Sequence, residues 1–99
     1  MLIVTGVFEI DPAHSERLRK AAIVMAEATR TETGCQTYAF WQDLDSATRI
    51  RVYEEWDDRA ALEAHFEAPH MQVWRAELAK GGLLSRNVVT VANGDVQPL

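Results

Sequence analysis

The chain has 99 residues, of which 47% are hydrophobic and 25% charged, and its 15 acidic residues outnumber its 10 basic residues. This balance predicts one globular domain over residues 1–99 and argues against a disordered or fibrous chain. The formal net charge of -5, with its bases scattered along the chain, argues against nucleic acid as a partner.

The cysteine content and the N-terminal segment bear on the cellular compartment. Cys35 is the single cysteine, so the chain can form neither an internal disulfide nor a cluster of several cysteine ligands. The apolar start at residues 2–4 is short and lacks the basic flank of a signal peptide. No stretch approaches the roughly 20 apolar residues that a membrane helix needs. We therefore expect a cytoplasmic protein with no membrane contact.

The first third of the chain predicts a strand followed by a helix. Residues 2–10 are apolar in both alternating sets, which indicates a strand buried on both faces. Asp11 and Pro12 then supply an N-cap and a first helical residue, and Glu16 suits the positive end of the helix dipole. Gly34 is expected to stop this helix. Its apolar stripe comprises Leu18, Ala21, Ala22, Met25, Ala28 and Thr29.

The middle of the chain predicts a hairpin. A second strand over residues 35–42 carries bulky side chains on both faces, and residues 43–46 have the Asp and Ser content of a turn. The third strand runs from about Thr48 to Trp56. One of its faces holds Ile50, Val52, Glu54 and Trp56, and the other holds Arg49, Arg51, Tyr53 and Glu55. We interpret the two arginines with Glu54 and Glu55 as solvated cross-strand pairs.

The last third predicts two short helices and a final strand. The Asp57-Asp58 pair caps the second helix, and Pro69 interrupts it because proline disfavours a helical residue before it. A third helix begins near His70 and ends at the glycine pair 81–82. Residues 83–92 form the fourth strand, with Leu83, Val89 and Val91 on one face and Leu84, Val88 and Ala92 on the other. Residues 93–99 are expected to be a mobile or partner-contacting tail.

The order strand, helix, strand, strand, helix, strand predicts an α+β fold of the ferredoxin-like, split βαβ type, with helices on one face of an antiparallel sheet. No further helix is left to cover the other face, although its strands carry apolar side chains. An exposed apolar patch of that size normally marks an association surface. We therefore expect a homodimer through the sheet face, with two-fold symmetry.

Two segments carry a family resemblance. The first is Glu32-Thr33-Gly34-Cys35-Gln36-Thr37-Tyr38, and the second is His65-Phe66 with Pro69-His70-Met71, with Tyr53-Glu54-Glu55-Trp56 and Ala61-Leu62 between them. Together they resemble the antibiotic biosynthesis monooxygenase domain family. The resemblance implies a dimeric α+β barrel and an oxygenase that acts on quinols or polycyclic phenols without metal or flavin. No cofactor is therefore expected. The first strand lacks the asparagine of the haem-degrading relatives, which disfavours that branch.

A histidine-aromatic cluster is the candidate catalytic site. A cofactor-free oxygenase must remove a proton, stabilise the resulting oxyanion and exclude water. Histidine suits the base because its ordinary pKa of about 6.5 lies near neutrality, so His65 and His70 are the candidates. Either could instead simply satisfy a helix end. The candidate substrate-binding walls, each of which could equally be ordinary core, are Tyr38, Phe40, Tyr53, Trp56, Phe66, Met71 and Trp74.

Other sites are disfavoured by the sequence. A metal site from both histidines with Glu55, Glu63 or Glu67 would need two ligands on one helix face, which the five-residue histidine spacing does not give. Cys35 begins a strand and is expected to be an inert core thiol. The family resemblance and the histidine-aromatic cluster lead to our main hypothesis, a cofactor-independent monooxygenase or related enzyme that takes a small aromatic quinol or phenol and O2. The alternatives are a non-catalytic dimeric module that binds a hydrophobic metabolite, and an isomerase that uses the same histidines.

Overall fold

The computed structural model describes residues 1–99 and contains the four strands and the helices that the sequence predicts. The sheet order is β2-β3-β1-β4, and every neighbouring pair is antiparallel. The α+β, ferredoxin-like prediction is therefore confirmed. The elements are β1 Leu2–Ile10, a 3₁₀ turn Pro12–His14, α1 Ser15–Thr29, β2 Cys35–Asp43, β3 Ser46–Trp56, α2 Arg59–Phe66, α3 Pro69–Ala79 and β4 Leu83–Val91.

The ends of α1 differ in detail from the sequence prediction. Asp11 does act as a cap, since its side chain accepts a hydrogen bond from the Ala13 backbone N at 2.9 Å. The turn that it caps is 3₁₀, however, and α1 begins only at Ser15. The helix ends at Thr29, before Gly34, whose φ of 84° reverses the chain into β2.

The strand register decides which side chains meet the helices. Gly6 of β1 pairs with Val52 of β3, and Val4 pairs with Glu54, so the even positions of β3 face the helix layer. The outer face carries no helix, and Trp41, Val89 and Val91 on it are 54%, 53% and 45% exposed. The buried core on the helix-facing side comprises Leu2, Val4, Met25, Ala26, Tyr38, Val52, Trp56 and Leu62.

A bulge corrects the predicted faces of β4. Ile10 of β1 pairs with Leu83, whereas Glu9 pairs with Ser85, so β4 has one residue more than its partner over this step. The extra residue shifts Leu83 to the same face as Ile10, where it contributes to the helix-facing interior. The predicted grouping of Leu83 with Val89 was therefore wrong, because strict alternation does not hold across a bulge. None of the helices combines the length and apolar content that crossing a bilayer requires.

Candidate active site

One carboxylate oxygen joins the two candidate histidines. Glu32 lies in the loop after α1, and its Oε2 is 2.6 Å from Nδ1 of His65 and 2.9 Å from Nε2 of His70. On a single straight helix, two residues five positions apart would point about 140° from each other. Because α2 ends at Phe66 and α3 begins at Pro69, the chain turns between the histidines and both rings reach the same oxygen.

The shared carboxylate determines which ring nitrogens carry protons. An ionised carboxylate only accepts hydrogen bonds, so His65 donates from Nδ1 and His70 donates from Nε2. In the neutral rings the lone pairs then lie on Nε2 of His65 and Nδ1 of His70. Burial lowers the pKa of His65, while its hydrogen bond to Glu32 acts in the opposite direction. Burial therefore favours the neutral form of the His65 imidazole.

The two histidines differ in access to solvent. The His65 side chain is 1% exposed, whereas that of His70 is 20% exposed. Around His65, the ring centroids of Trp56 and Tyr38 lie at 4.9 Å and 5.4 Å, and that of Phe66 lies at 6.0 Å. Three of the predicted aromatic walls thus enclose His65, although Trp56 is fully buried as core. Burial in the same cluster raises the pKa of Tyr38, which remains a neutral phenol.

The predicted wall residues do not surround one pocket, because the structure has two separate spaces beside α3. A cavity of about 310 Å³ lies between α1, α3 and the sheet, and it is lined by Phe40 and Trp74 but by neither histidine. A groove of about 400 Å³ lies between α1 and α3, and its lining includes His70, Trp74 and Met25. We refer to these spaces as the cavity and the groove. The Trp74 side chain lines both of them.

Two predicted wall residues lie elsewhere. Met71 packs against the core cluster and lines neither space. Tyr53 occupies an odd position of β3 and so faces away from the helices, where its hydroxyl donates to Glu55 Oε2 at 2.6 Å. The structure therefore does not bring Tyr53 together with the histidines, because the side chains of a strand alternate between faces.

Glu54 is an acidic group that the sequence interpretation misplaced. Its side chain points into the helix-facing interior, is 6% exposed, and accepts a hydrogen bond from Trp56 Nε1 at 2.8 Å. Burial raises the pKa of Glu54 to about 7. The prediction of a solvated pair with the arginines was wrong for this residue; Arg49 instead pairs with Glu9 and Asp43. Alternation along β3 carried the signal, since Glu54 shares a face with Val52.

The cluster also has the composition of a metal-binding group. The three ligand atoms of Glu32, His65 and His70 all lie within 4.8 Å of one another. The carboxylate is Glu32 rather than Glu55, Glu63 or Glu67, which the sequence offered, because only the loop after α1 reaches both rings. A divalent ion bound here would have to displace both ring protons from Glu32. Cys35 lies nearby, and burial raises the pKa of its thiol to about 11, which keeps it protonated.

The fold and the site together define a small ferredoxin-like α+β protein with a His–Glu–His cluster where α2 and α3 meet. The family model described as antibiotic biosynthesis monooxygenase matches residues 1–77. The chain therefore belongs to the antibiotic biosynthesis monooxygenase family, as the two sequence segments indicated.

Three relatives show how far the sequence likeness extends. Rv0793 of Mycobacterium tuberculosis, provisionally named a monooxygenase, is 35% identical over 81 residues, which are 81% of this chain and 77% of the relative. YgiN of Escherichia coli, provisionally named a quinol monooxygenase, is 32% identical over 65 residues, covering 58% of this chain and 62% of YgiN. The uncharacterised sll1783 of Synechocystis is 30% identical over 69 residues. These are 70% of this chain, which spans about half (47%) of sll1783.

Solved structures give the same fold. The structure of Rv0793 superposes with a TM-score of 0.87 at 26% identity, covering 98% of both chains. A Deinococcus radiodurans structure, provisionally named an antibiotic biosynthesis monooxygenase, superposes with a TM-score of 0.90 at 24% identity. It covers 100% of this chain and 98% of its own. The likeness extends over the whole sheet and all helices.

Proposed function

We propose that this protein is a cofactor-independent monooxygenase that oxidises a small aromatic quinol or phenol in the groove beside His70. The observation that carries the proposal is the single Glu32 oxygen that accepts hydrogen bonds from both histidines, at 2.6 Å and 2.9 Å. This arrangement resembles a base oriented by a carboxylate, which fixes the tautomer and stabilises the imidazolium once formed. Membership of the monooxygenase family and the quinol monooxygenase name of YgiN also support it.

In this proposal His70 takes the proton from a substrate hydroxyl group. His70 lines the groove and is the more exposed histidine, so it is the base that a substrate can reach. The hydrogen bond from Nε2 of His70 to Glu32 orients the ring and leaves Nδ1 to take the proton. Trp74 and Met25, which also line the groove, supply apolar walls against which an aromatic ring can stack. His65 acts as a positioning residue that holds Glu32 in place.

The overall oxidation needs no external reductant when the substrate is a quinol. The deprotonated ring is electron-rich and passes electrons to O2, after which a carbon–oxygen bond forms at the ring. In total the quinol loses two hydrogen atoms and gains one oxygen atom, giving a hydroxylated quinone. The second oxygen atom leaves as water with those two hydrogens. The protein contributes the base, the orientation and the exclusion of water.

Oxygen consumption tests this proposal. Metal-free protein should take up O2 with at least one member of a panel of benzoquinols and naphthoquinols, and His70→Ala should lower kcat by about 100-fold, the lower end for loss of a general base. His14→Ala is the matched control, because His14 contacts Arg17 and not Glu32. Full activity of His70→Ala would contradict the assignment of the base. No O2 uptake with any member would count against the reaction.

We also propose that the protein works as a homodimer through the outer sheet face. The exposed side chains of Trp41 on β2 and of Val89 and Val91 on β4 lie at the two edges of the outer face, and association through that face would remove them from water. Sedimentation velocity should show a dimer for the wild type and a monomer for Val89→Lys. Val73→Lys changes an exposed valine on α3 and should leave the dimer intact. A monomeric wild type would contradict this proposal.

A second candidate function is a binding module for a hydrophobic metabolite. It is favoured by one observation: the cavity contacts neither histidine, so a ligand held there would not touch the proposed base. A ligand that raises the thermal stability of the protein without any O2 uptake would favour this function, because binding to the folded state alone stabilises it. Turnover under anaerobic conditions would instead favour an isomerase that uses the same histidines.

A further inference from the structure

The charged residues around the cavity all have the same sign. Twelve of its fifteen lining residues are hydrophobic, and the other three are Arg19, Arg30 and Gln42. No carboxylate lines the cavity, although the chain as a whole has 15 acidic residues against 10 basic ones. An apolar space bordered only by cations complements a ligand with an apolar body and a negative group.

The two arginines have no acidic partner within the chain. The ion pairs of this chain, defined by a nitrogen–oxygen distance of 4.0 Å or less, include neither Arg19 nor Arg30. Both positive charges are therefore available to a ligand. The cationic members of those pairs are Arg17, Lys20, Arg49, His65, His70 and Lys80.

The two arginines are positioned along one side of the cavity. They lie eleven residues apart on and just after α1, which places them on nearly the same helix face and about 16 Å apart along its axis. Arg30 is also anchored, because its Nε donates to the Tyr38 carbonyl oxygen at 2.9 Å. This bond orients the guanidinium group and leaves its two terminal nitrogens for a bidentate contact. A preoriented fork of this kind suits a carboxylate.

We infer that the cavity binds a planar aromatic carboxylic acid, with its carboxylate on Arg30 and its ring against the Phe40–Trp74 pair. The volume of about 310 Å³ is at the small end for ligand sites, which limits the ligand to one or two rings. The ring centroids of Phe40 and Trp74 are 6.1 Å apart, so the two aromatic side chains border the same end of the cavity. This inference concerns binding and does not rest on the proposed oxygenation.

Calorimetry with a matched pair of probes tests the charge preference. Cinnamate and cinnamamide have the same shape, but only cinnamate carries a negative charge. Cinnamate should bind about tenfold more tightly, because a hydrogen-bonded ion pair at a partly exposed site contributes at the lower end of the range for charged groups. Arg30→Gln should remove this preference and leave cinnamamide unaffected. Arg59→Gln, which removes the same charge on α2, should bind both probes as the wild type does.

The tryptophan indole signals locate the bound ligand. The Trp74 side chain lines the cavity, whereas Trp56 is fully buried with its Nε1 hydrogen-bonded to Glu54. In a proton–nitrogen correlation spectrum, cinnamate should shift the indole signal of Trp74 and leave that of Trp56 in place. Equal affinity for both probes, equal weakening of both by Arg30→Gln, or no binding of either would overturn the inference. Loss of O2 uptake alone would not affect it.

Discussion

Glu54 gives the clearest quantitative prediction, because its burial costs stability only when the carboxyl group is ionised. Its pKa is raised from the ordinary 4.5 to about 7. Between these two pH values the folded protein binds more protons than the unfolded chain, so the free energy of unfolding falls as the pH rises through this interval. The rise of the pKa from 4.5 to about 7 corresponds to a loss of about 3 kcal/mol in the free energy of unfolding above pH 7. Glu54→Gln removes this cost and retains an oxygen for Trp56 Nε1.

The difference between wild type and Glu54→Gln should therefore depend on pH. Urea unfolding at a fixed protein concentration should show similar stabilities near pH 4 and a variant that is more stable by about 3 kcal/mol near pH 8. His65 is present in both proteins, so its own titration cancels in the difference. Glu55→Gln, the same substitution on the outer face, is the matched control. Parallel stability curves for wild type and Glu54→Gln would refute the reasoning.

Three further predictions concern the packing of Arg17, the turn at Gly34 and the effect of metal ions on O2 uptake. Arg17→Ala should lower the free energy of unfolding by about 1 to 2 kcal/mol, because Arg17 donates to the backbone carbonyls of Glu77 and Gly81. Urea unfolding measures this loss, and an unchanged midpoint would contradict the prediction. Gly34→Ala should destabilise the protein more than Arg17→Ala does, since the new Cβ would lie 2.6 Å from the Cβ of Ala61 and the backbone φ is 84°. A melting temperature equal to that of the wild type would exclude this strain. Chelation of metal ions should leave O2 uptake intact. Added Zn²⁺ should inhibit O2 uptake, because it competes for the histidine ring nitrogens that contact Glu32. Loss of activity on chelation would contradict a metal-free reaction.

The fold could be predicted because its signals are local. The apolar run of β1, the alternation in β3, the Asp58 cap and the break at Pro69 each depend on neighbours in sequence. Register shifts are less visible in a sequence. The bulge beside Ile10 was therefore not predicted, and it places Leu83 on the unexpected face. A bulge depends on how two strands pair, and the sequence of one strand does not encode that alone.

The candidate site could be predicted only in part. Its histidines were evident as residue types, but their shared partner Glu32 lies 33 positions from His65. That contact depends on the path of the loop after α1 and on the angle between α2 and α3. Burial of Glu54 followed from a pattern already visible in β3, and the misassignment came from giving charge more weight than alternation. The separation of cavity and groove depends on where α3 packs, which periodicity cannot specify.

The position of Trp74 makes one side chain the partition between two compartments. Its indole lies between the cavity, which Arg30 lines, and the groove, which His70 lines. Shortening this side chain would merge them into one passage beneath α3, long enough for a molecule that neither compartment admits alone. The size of the largest molecule that the protein accommodates would then be governed by residue 74 rather than by the sheet.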